Sequence, residues 1–273
     1  MQNNNKVIVF GGSGFLGSHV ADSLSESDFK VTIFDKIKSP YLNNDQKMII
    51  GDILDDDLIN DSIKGHDIVY NFAGISDIDD CHRNPIDTIR YNVLGNAKIL
   101  STAIKNHVSK YLFASSAYVY SASGSFYRIS KQSSELFIES LCDDNDINYS
   151  ILRYGSLYGE RSNKLNSIYK IIDSAIRYKI IKYYGDGNET REFIHVKDAA
   201  DLSVDALDVK YNDQILMLTG AKSIKYADLL DMVKEMLNDE VKHRKVMLKM
   251  QREVRQKWQE SWAEIRRAER KAG

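Results

Sequence analysis

The sequence predicts an α/β fold built on a doubly wound parallel sheet, with a small, shortened C-terminal lobe and a long amphipathic helix at its end. Three observations carry this. Residues 6–17, KVIVFGGSGFLG, pass from an apolar run through four glycines into a helical pattern. Short apolar runs then alternate with helical stretches at the pace of βαβ units, which calls for a parallel sheet with helices on both faces. Near residue 240 the chain changes character altogether.

The first strand ends in Gly11, Gly12, Gly14 and Gly17. Glycines in such a turn permit positive φ, let backbone approach a pyrophosphate, and pack the next helix close to the strand, with phosphates at the helix N-terminus. This is the dinucleotide-binding Rossmann pattern, and its plain alternative is a Gly-rich turn. Phe15, Leu16, Val20 and Leu24 then recur at helical spacing, and VTIF at 31–34 makes the second strand. Asp35 closes it. A carboxylate there hydrogen-bonds the adenosine ribose and repels a 2′-phosphate, so NAD is expected over NADP, although Lys36 beside it works against that choice.

Met48-Ile49-Ile50 forms a third run, followed by Gly51-Asp52 and a helix opening on Asp55, Asp56 and Asp57, acids favoured at a helix start. The strand at 68–70 leads into Asn71-Phe72-Ala73-Gly74. Residues 85–107 read as one long helix containing Tyr91, Asn92 and Leu94, and the strand at 111–114 ends in Ser115-Ser116. After SASGSF, residues 121–126, a helix begins near Tyr127 and runs through Lys131, Leu136, Phe137 and Leu141. Tyr127 and Lys131, four apart, share a helical face just downstream of the two serines, so a hydroxyl, a phenol and an ammonium converge at the ligand edge of the sheet. Tyr178 and Lys182 have the same spacing without that context and are expected at the surface.

At 273 residues, 43% hydrophobic and a formal charge of -2, the chain lacks the basic excess of a nucleic-acid binder. No apolar stretch nears the roughly 20 residues that span a bilayer, and the polar N-terminus runs straight into the first strand, so a cytoplasmic location is expected. Cys81 and Cys142 lack metal-like spacing and the six histidines are scattered: free thiols and no metal site are expected.

Seven motifs in order, GGSGFLG, GDI (51–53), NFAG (71–74), SSAYVY (115–120), YRISK (127–131), LRYGSLYG (152–159) and GDGNETREFIHVKDAAD (185–201), are similar to those of extended short-chain dehydrogenase/reductases. Over residues 6–237 the chain resembles the NAD-dependent epimerase/dehydratase family, whose members act mostly on nucleotide sugars. The resemblance implies a Rossmann domain at 1–155, to which 186–210 returns, and a partial substrate lobe at 156–185 and 211–240. It implies that NAD is bound by Gly11, Gly14, Phe15, Leu16, Gly17, Asp35, Lys36, Asp52, Ile53, Ala73, Tyr127, Lys131 and Tyr154. Ser116, Tyr127 and Lys131 are the implied catalytic set, Asn92 a structural helix residue, and Ser116, Ser156 and Arg191 the substrate contacts, with Arg191 on the diphosphate. The plain alternative for Arg191 is an ion pair with Glu189 or Glu192.

The departures from the family pattern are a separation of only eleven positions from Ser116 to Tyr127, Gly155-Ser156 in place of the common Phe-Asn, and the C-terminus. The expected activity is epimerisation through a transient ketone: Tyr127 as phenolate takes the hydroxyl proton, Lys131 lowers the phenol's pKa, and Ser116 holds the reacting oxygen. Related dehydratases carry Asp-Glu after the Ser/Thr, where this chain has Ala117 and Tyr118, so dehydration is disfavoured. A nucleotide-sugar ketoreductase and a non-catalytic NAD-binding protein are the alternatives.

Residues 241–273 contain no Asn or Tyr, both tryptophans of the chain, and eleven basic against four acidic residues, +7 against -9 for the rest. Joining two sequences of different origin would produce such a change. Met247, Met250, Val254, Trp258, Trp262, Ile265 and Ala268 recur at steps of three and four, which predicts one amphipathic helix. Its apolar stripe is expected to bury against the body of the chain or a second copy in a homodimer; an anionic membrane or a groove-binding partner is less favoured.

Overall fold

The structure, a computed structural model, describes residues 5–238 apart from 122, 123, 146, 179, 182 and 184. Lys182, part of the 121–126 turn, and the stripe expected in 241–273 lie outside the described residues. Tyr178 is exposed.

Of the described residues, 5–154 and 199–218 form one compact unit, and 155–198 and 219–238 a second. The division at 154 stands beside the expected 155, but two segments change sides. Residues 186–198 group with the second unit because strand Thr190–His195 pairs there, and 211–218 group with the first because strand Gln214–Leu218 extends its sheet.

The first unit opens with β1 (Lys6–Phe10), α1 (Phe15–Glu26), β2 (Lys30–Asp35), β3 (Lys47–Ile50), α2 (Asp56–Ile63) and β4 (Ile68–Asn71). It continues through α3 (Ile78–Arg83), α4 (Pro85–Thr88), a π-helical turn (Ile89–Leu94), α5 (Gly95–Lys105), β5 (Lys110–Ser116), α6 (Ser125–Asn145) and β6 (Asn148–Tyr154). The second unit contains β7 (Ser156–Tyr158), α7 (Ser167–Tyr178) and β8 (Thr190–His195); the division falls within α8 (Val196–Asp205). The first unit regains β9 (Gln214–Leu218), and the second ends with β10 (Ser223–Lys225) and α9 (Tyr226–Asn238).

Seven strands pair in parallel in the order β3-β2-β1-β4-β5-β6-β9. The chain winds outward from β1 in both directions, so a switch point lies at the C-terminal ends of β1 and β4, where such sheets bind ligands. Val7, Ile8, Val9 and Phe10 are all buried, as expected of a strand covered on both faces. One face holds Ile8, Phe10, Phe34, Tyr111, Phe113 and Ile151 against Ile59 and Ile63 of α2, Ile99 and Leu100 of α5, and Ile138 of α6. Burial of each such side chain is worth about 1.5–3 kcal/mol.

In the second unit β8 pairs with β7 in parallel and with β10 antiparallel, and Ile168, Ile171, Phe193, Leu229 and Val233 form its core. Among the described residues no helix is long and apolar enough to cross a membrane.

Candidate cofactor and active site

The turn after β1 is shaped for close approach. Gly11 has φ +77°, and a Cβ on it would stand 2.6 Å from the Ala73 nitrogen; one on Gly17 would stand 2.3 Å from the Gly11 carbonyl oxygen. Gly14 caps α1 without a side-chain hydrogen bond, and the first intrahelical bond is Ser18 N–H to its carbonyl. The N–H groups of Phe15, Leu16 and Gly17 therefore precede the helical ladder, with no acidic side chain in the first turn to compete for an anion. Glycine backbone, an uncapped helix start and a following Asp fit the pyrophosphate and adenosine of a dinucleotide.

Asp35 stands at the end of β2, where its carboxylate accepts from Ser13 N–H at 3.0 Å and Ile37 N–H at 3.3 Å. It therefore also holds the glycine turn. Lys36 reaches away to Asp52, 3.1 Å, and donates to the Tyr91 hydroxyl, 2.8 Å, with its ammonium 4.2 Å over that ring. Desolvation works against the Asp52 charge, yet the Leu54 N–H and the Lys36 ammonium hold its carboxyl below the usual range. The Ile53 side chain is buried in the core. Ala73 N–H donates to Asn71 Oδ1 at 3.0 Å, which fixes the strand end facing Gly11.

The second cluster joins β5 to α6. Ser116 ends β5; its hydroxyl accepts from Tyr118 N–H at 3.2 Å and lies close enough to the Tyr127 phenol to favour the phenolate. Lys131, one turn along α6, is buried with its ammonium 5.8 Å from the Tyr127 ring centre. That ammonium donates to the Ala114 carbonyl, 2.7 Å, and lies 4.7 Å over the Phe113 ring. Burial pushes the Tyr127 phenol up to about 12, with Ser116 opposing, and pushes the Lys131 ammonium down to about 8. The expected lowering of the phenol by Lys131 is not among the influences on it: burial sets its direction, and the ammonium is directed at the Ala114 carbonyl.

Asn92 ties this helix to the loop after β4. Its amide donates to Ile75 O and Ser130 Oγ, both 3.0 Å, and accepts from Ile75 N–H at 2.7 Å. The π-helical turn that carries it is a local irregularity within the long helix expected at 85–107, and such turns recur at functional sites. Tyr154 is buried in the first unit with its hydroxyl 2.7 Å from Ser203 Oγ.

Ser156 and Arg191 belong to the second unit. Ser156 pairs with Phe193 on β7 and β8, and Arg191 Nη1 donates to the Thr190 carbonyl, 3.0 Å. Gly155 has a local reason to replace Phe: a Cβ there would lie 2.6 Å from the Glu192 carbonyl oxygen. Sequence reasoning missed the roles of Tyr91, Glu135 and Arg153. Glu135 had a usable signal, since it stands four residues past Lys131 on the same face.

Fold and turn together define a dinucleotide-binding α/β protein with a Ser-Tyr-Lys cluster at the sheet edge. The model of the NAD dependent epimerase/dehydratase family matches residues 7–215, and the chain belongs to that family, whose cofactor is NAD. The UDP-N-acetyl-alpha-D-glucosaminuronate decarboxylase of Bacillus cytotoxicus is 30% identical over 237 residues, covering 77% of this chain and 74% of that one. The UDP-glucose 4-epimerase of Yersinia pestis is 29% identical over 245 residues, 74% of this chain and 72% of that one. Among solved structures, the UDP-N-acetylglucosamine 4-epimerase of Methanobrevibacter ruminantium M1, in complex with UDP-N-acetylmuramic acid, superposes with a TM-score of 0.80 at 28% identity, covering 88% of this chain and 84% of that chain.

Proposed function

We propose that the chain is an NAD-dependent epimerase that inverts one carbon of a nucleotide sugar, a UDP-sugar being the class its relatives' names support. The observation that carries this is the meeting of Ser116, Tyr127 and Lys131 at the end of β5, with Ala117 and Tyr118 in place of an acid pair. NAD supplies a hydride acceptor that gives the hydride back. Tyr127 takes the proton of the hydroxyl on the carbon being oxidised and returns it when that carbon is reduced from its other face, so no proton or electron is gained overall. Because burial favours the protonated phenol, forming the phenolate that takes this proton needs the Lys131 charge beside it, with the Ser116 hydroxyl on the reacting oxygen.

Gly11, Gly14, Phe15, Leu16 and Gly17 carry the pyrophosphate in this account; Asp35, Lys36, Asp52, Ile53 and Ala73 line the adenosine side, and Tyr154 the nicotinamide side. Ser156 and Arg191 bind the sugar and its diphosphate. We place the enzyme in the cytoplasm, where the buried thiols Cys81 and Cys142 stay reduced. A homodimer is supported by α6, whose inward face carries Tyr127, Lys131 and Glu135 while Phe126, Ile129, Leu136 and Phe137 are exposed on the outside. Molar mass in solution, with and without residues 241–273, tests that assembly; a monomer in both forms refutes it.

The activity is tested by offering UDP-glucose, UDP-N-acetylglucosamine and UDP-glucuronic acid with a trace of NAD and reading the sugar by proton NMR. Formation of the epimer without net change in nicotinamide absorbance is expected. With NAD or NADP supplied in excess, oxidised sugar formed in step with NADH or NADPH, the reverse of ketone reduction, would make it a ketoreductase instead, and NAD binding without any product a non-catalytic binder.

A further inference from the structure

Glu135 is buried on the inward face of α6, 5% exposed, one helical turn beyond Lys131. A carboxylate in such a place persists only with partners that replace water. It has three donors from two strands. The Ser115 hydroxyl donates to Oε1, Arg153 Nε donates to the same oxygen at 2.9 Å, and Arg153 Nη2 donates to Oε2 at 2.6 Å. Arg153 Nη1 meets the Tyr120 hydroxyl, and the guanidinium lies 4.7 Å over the Tyr120 ring.

Ser115 and Arg153 are direct partners across β5 and β6, so Glu135 bridges one rung of the sheet. Each member adjoins a residue of the candidate site: Ser115 precedes Ser116, Arg153 precedes Tyr154, and Glu135 follows Lys131 by one turn. A two-pronged Arg–carboxylate contact is geometrically specific, and it fixes the height and rotation of α6 against the ends of both strands. The groups that face the Lys131 ammonium are the Ala114 carbonyl and Phe113 ring from β5, the Cys81 thiol from α3, and Tyr127 and Glu135 from α6 itself. Burial raises the Cys81 thiol and the Tyr127 phenol, so both are neutral near pH 7, and of these groups Glu135 is the anion.

We propose that Glu135 is a positioning residue for Tyr127 and Lys131: pinned by Arg153 and Ser115, its carboxylate locks α6 to the sheet edge and keeps the Lys131 ammonium charged in a dry site. The purpose rests on the epimerase function proposed above. Burial draws Lys131 down to about 8, Cys81 and the Glu135 charge oppose that fall, and loss of the Glu135 charge moves proton release closer to neutrality.

The test uses Glu135→Gln, which keeps shape and removes charge, and Glu135→Asp, which keeps charge and shortens the reach. Lysine labelled at the ε-carbon reports the Lys131 titration by NMR on the substrate-free full chain, with Lys131→Ala giving the assignment. In Glu135→Gln the proton affinity of Lys131 is expected to fall about tenfold, and the alkaline fall in turnover of UDP-glucose to move down by the same pH interval, with kcat reduced and KM within about twofold. Glu135→Asp is expected to keep the Lys131 midpoint and lose kcat. An unchanged midpoint in folded Glu135→Gln overturns the proposal, as does parental kcat in Glu135→Asp, the variant that decides should Glu135→Gln not fold. A lowered midpoint in a chain that turns over no UDP-sugar supports the electrostatic link while removing the epimerase function itself.

Discussion

Lys131 donates to the Ala114 carbonyl at 2.7 Å and stands 5.8 Å from the centre of the Tyr127 ring, so β5 fixes the cation beside the phenol. Replacing Tyr127 with Phe removes only the hydroxyl. Turnover is expected to fall by roughly 10²–10⁴-fold while NAD affinity stays within a few-fold, and titration calorimetry beside steady-state rates checks the split. Full activity in the Phe variant would remove Tyr127 from the chemistry.

The same cation sets a pH dependence. Lys131 is held to about 8, so its charge is present below pH 8 and lost as pH rises through that value. The rate is therefore expected to decline above pH 8, well before an ordinary lysine would titrate. A rate that stays flat to pH 10 would contradict the role given to the Lys131 charge.

The Asp35 carboxylate accepts the Ser13 N–H, and the proposed function gives it a second duty, at the adenosine ribose. Asp35→Ala is expected to weaken NAD by about tenfold, in line with the loss of a charged hydrogen bond worth about 1.5–3 kcal/mol, and to weaken NADP less. Isothermal titration with both cofactors checks this, and equal losses would refute the preference for NAD.

Asn92 holds the loop after β4 and the start of α6 through its contacts with Ile75 and Ser130. Asn92→Ala leaves an Ile75 N–H and carbonyl without their partner, and a cost of about 2–4 kcal/mol is expected in urea unfolding. Turnover should fall along with stability, because Ser130 lies between Tyr127 and Lys131 on α6.

Lys110, at the start of β5, donates to Ala206 O at 2.8 Å and Asn212 Oδ1 at 2.6 Å, and burial lowers it from 10.5 to about 8. Below pH 8 it is protonated in both folded and unfolded chains. Between 8 and 10.5 the unfolded chain holds more of that proton, so the contribution of Lys110 to stability rises with pH. Lys110→Met is expected to be destabilised by about 1–3 kcal/mol through its unpaired acceptors, and its deficit in melting temperature should widen from pH 8 to 10.

The sheet was legible because its strands are unbroken apolar runs, and the glycine turn because its spacing is tied to backbone geometry. The π-helical turn at Ile89–Leu94 was not, since it leaves the helical composition unchanged and is recognised only where Asn92 finds Ile75 and Ser130. Asp35 was read as a ribose ligand, but its bond to Ser13 depends on how the turn folds back over β2. The pairing of Glu135 with Arg153 needs the register that sets Ser115 opposite Arg153, which no local pattern contains. The side taken by 186–198 likewise depended on which strands pair with β8.

The account turns on hydride leaving and returning to one carbon of the sugar while Tyr127 handles the proton. Epimerisation of a UDP-sugar deuterated at the inverted carbon, followed by mass spectrometry and NMR, measures this directly. The product should keep its deuterium at that carbon, at a rate slowed by the label if hydride transfer limits turnover, and Tyr127→Phe should give no product. Loss of the deuterium to solvent water during epimerisation would contradict it.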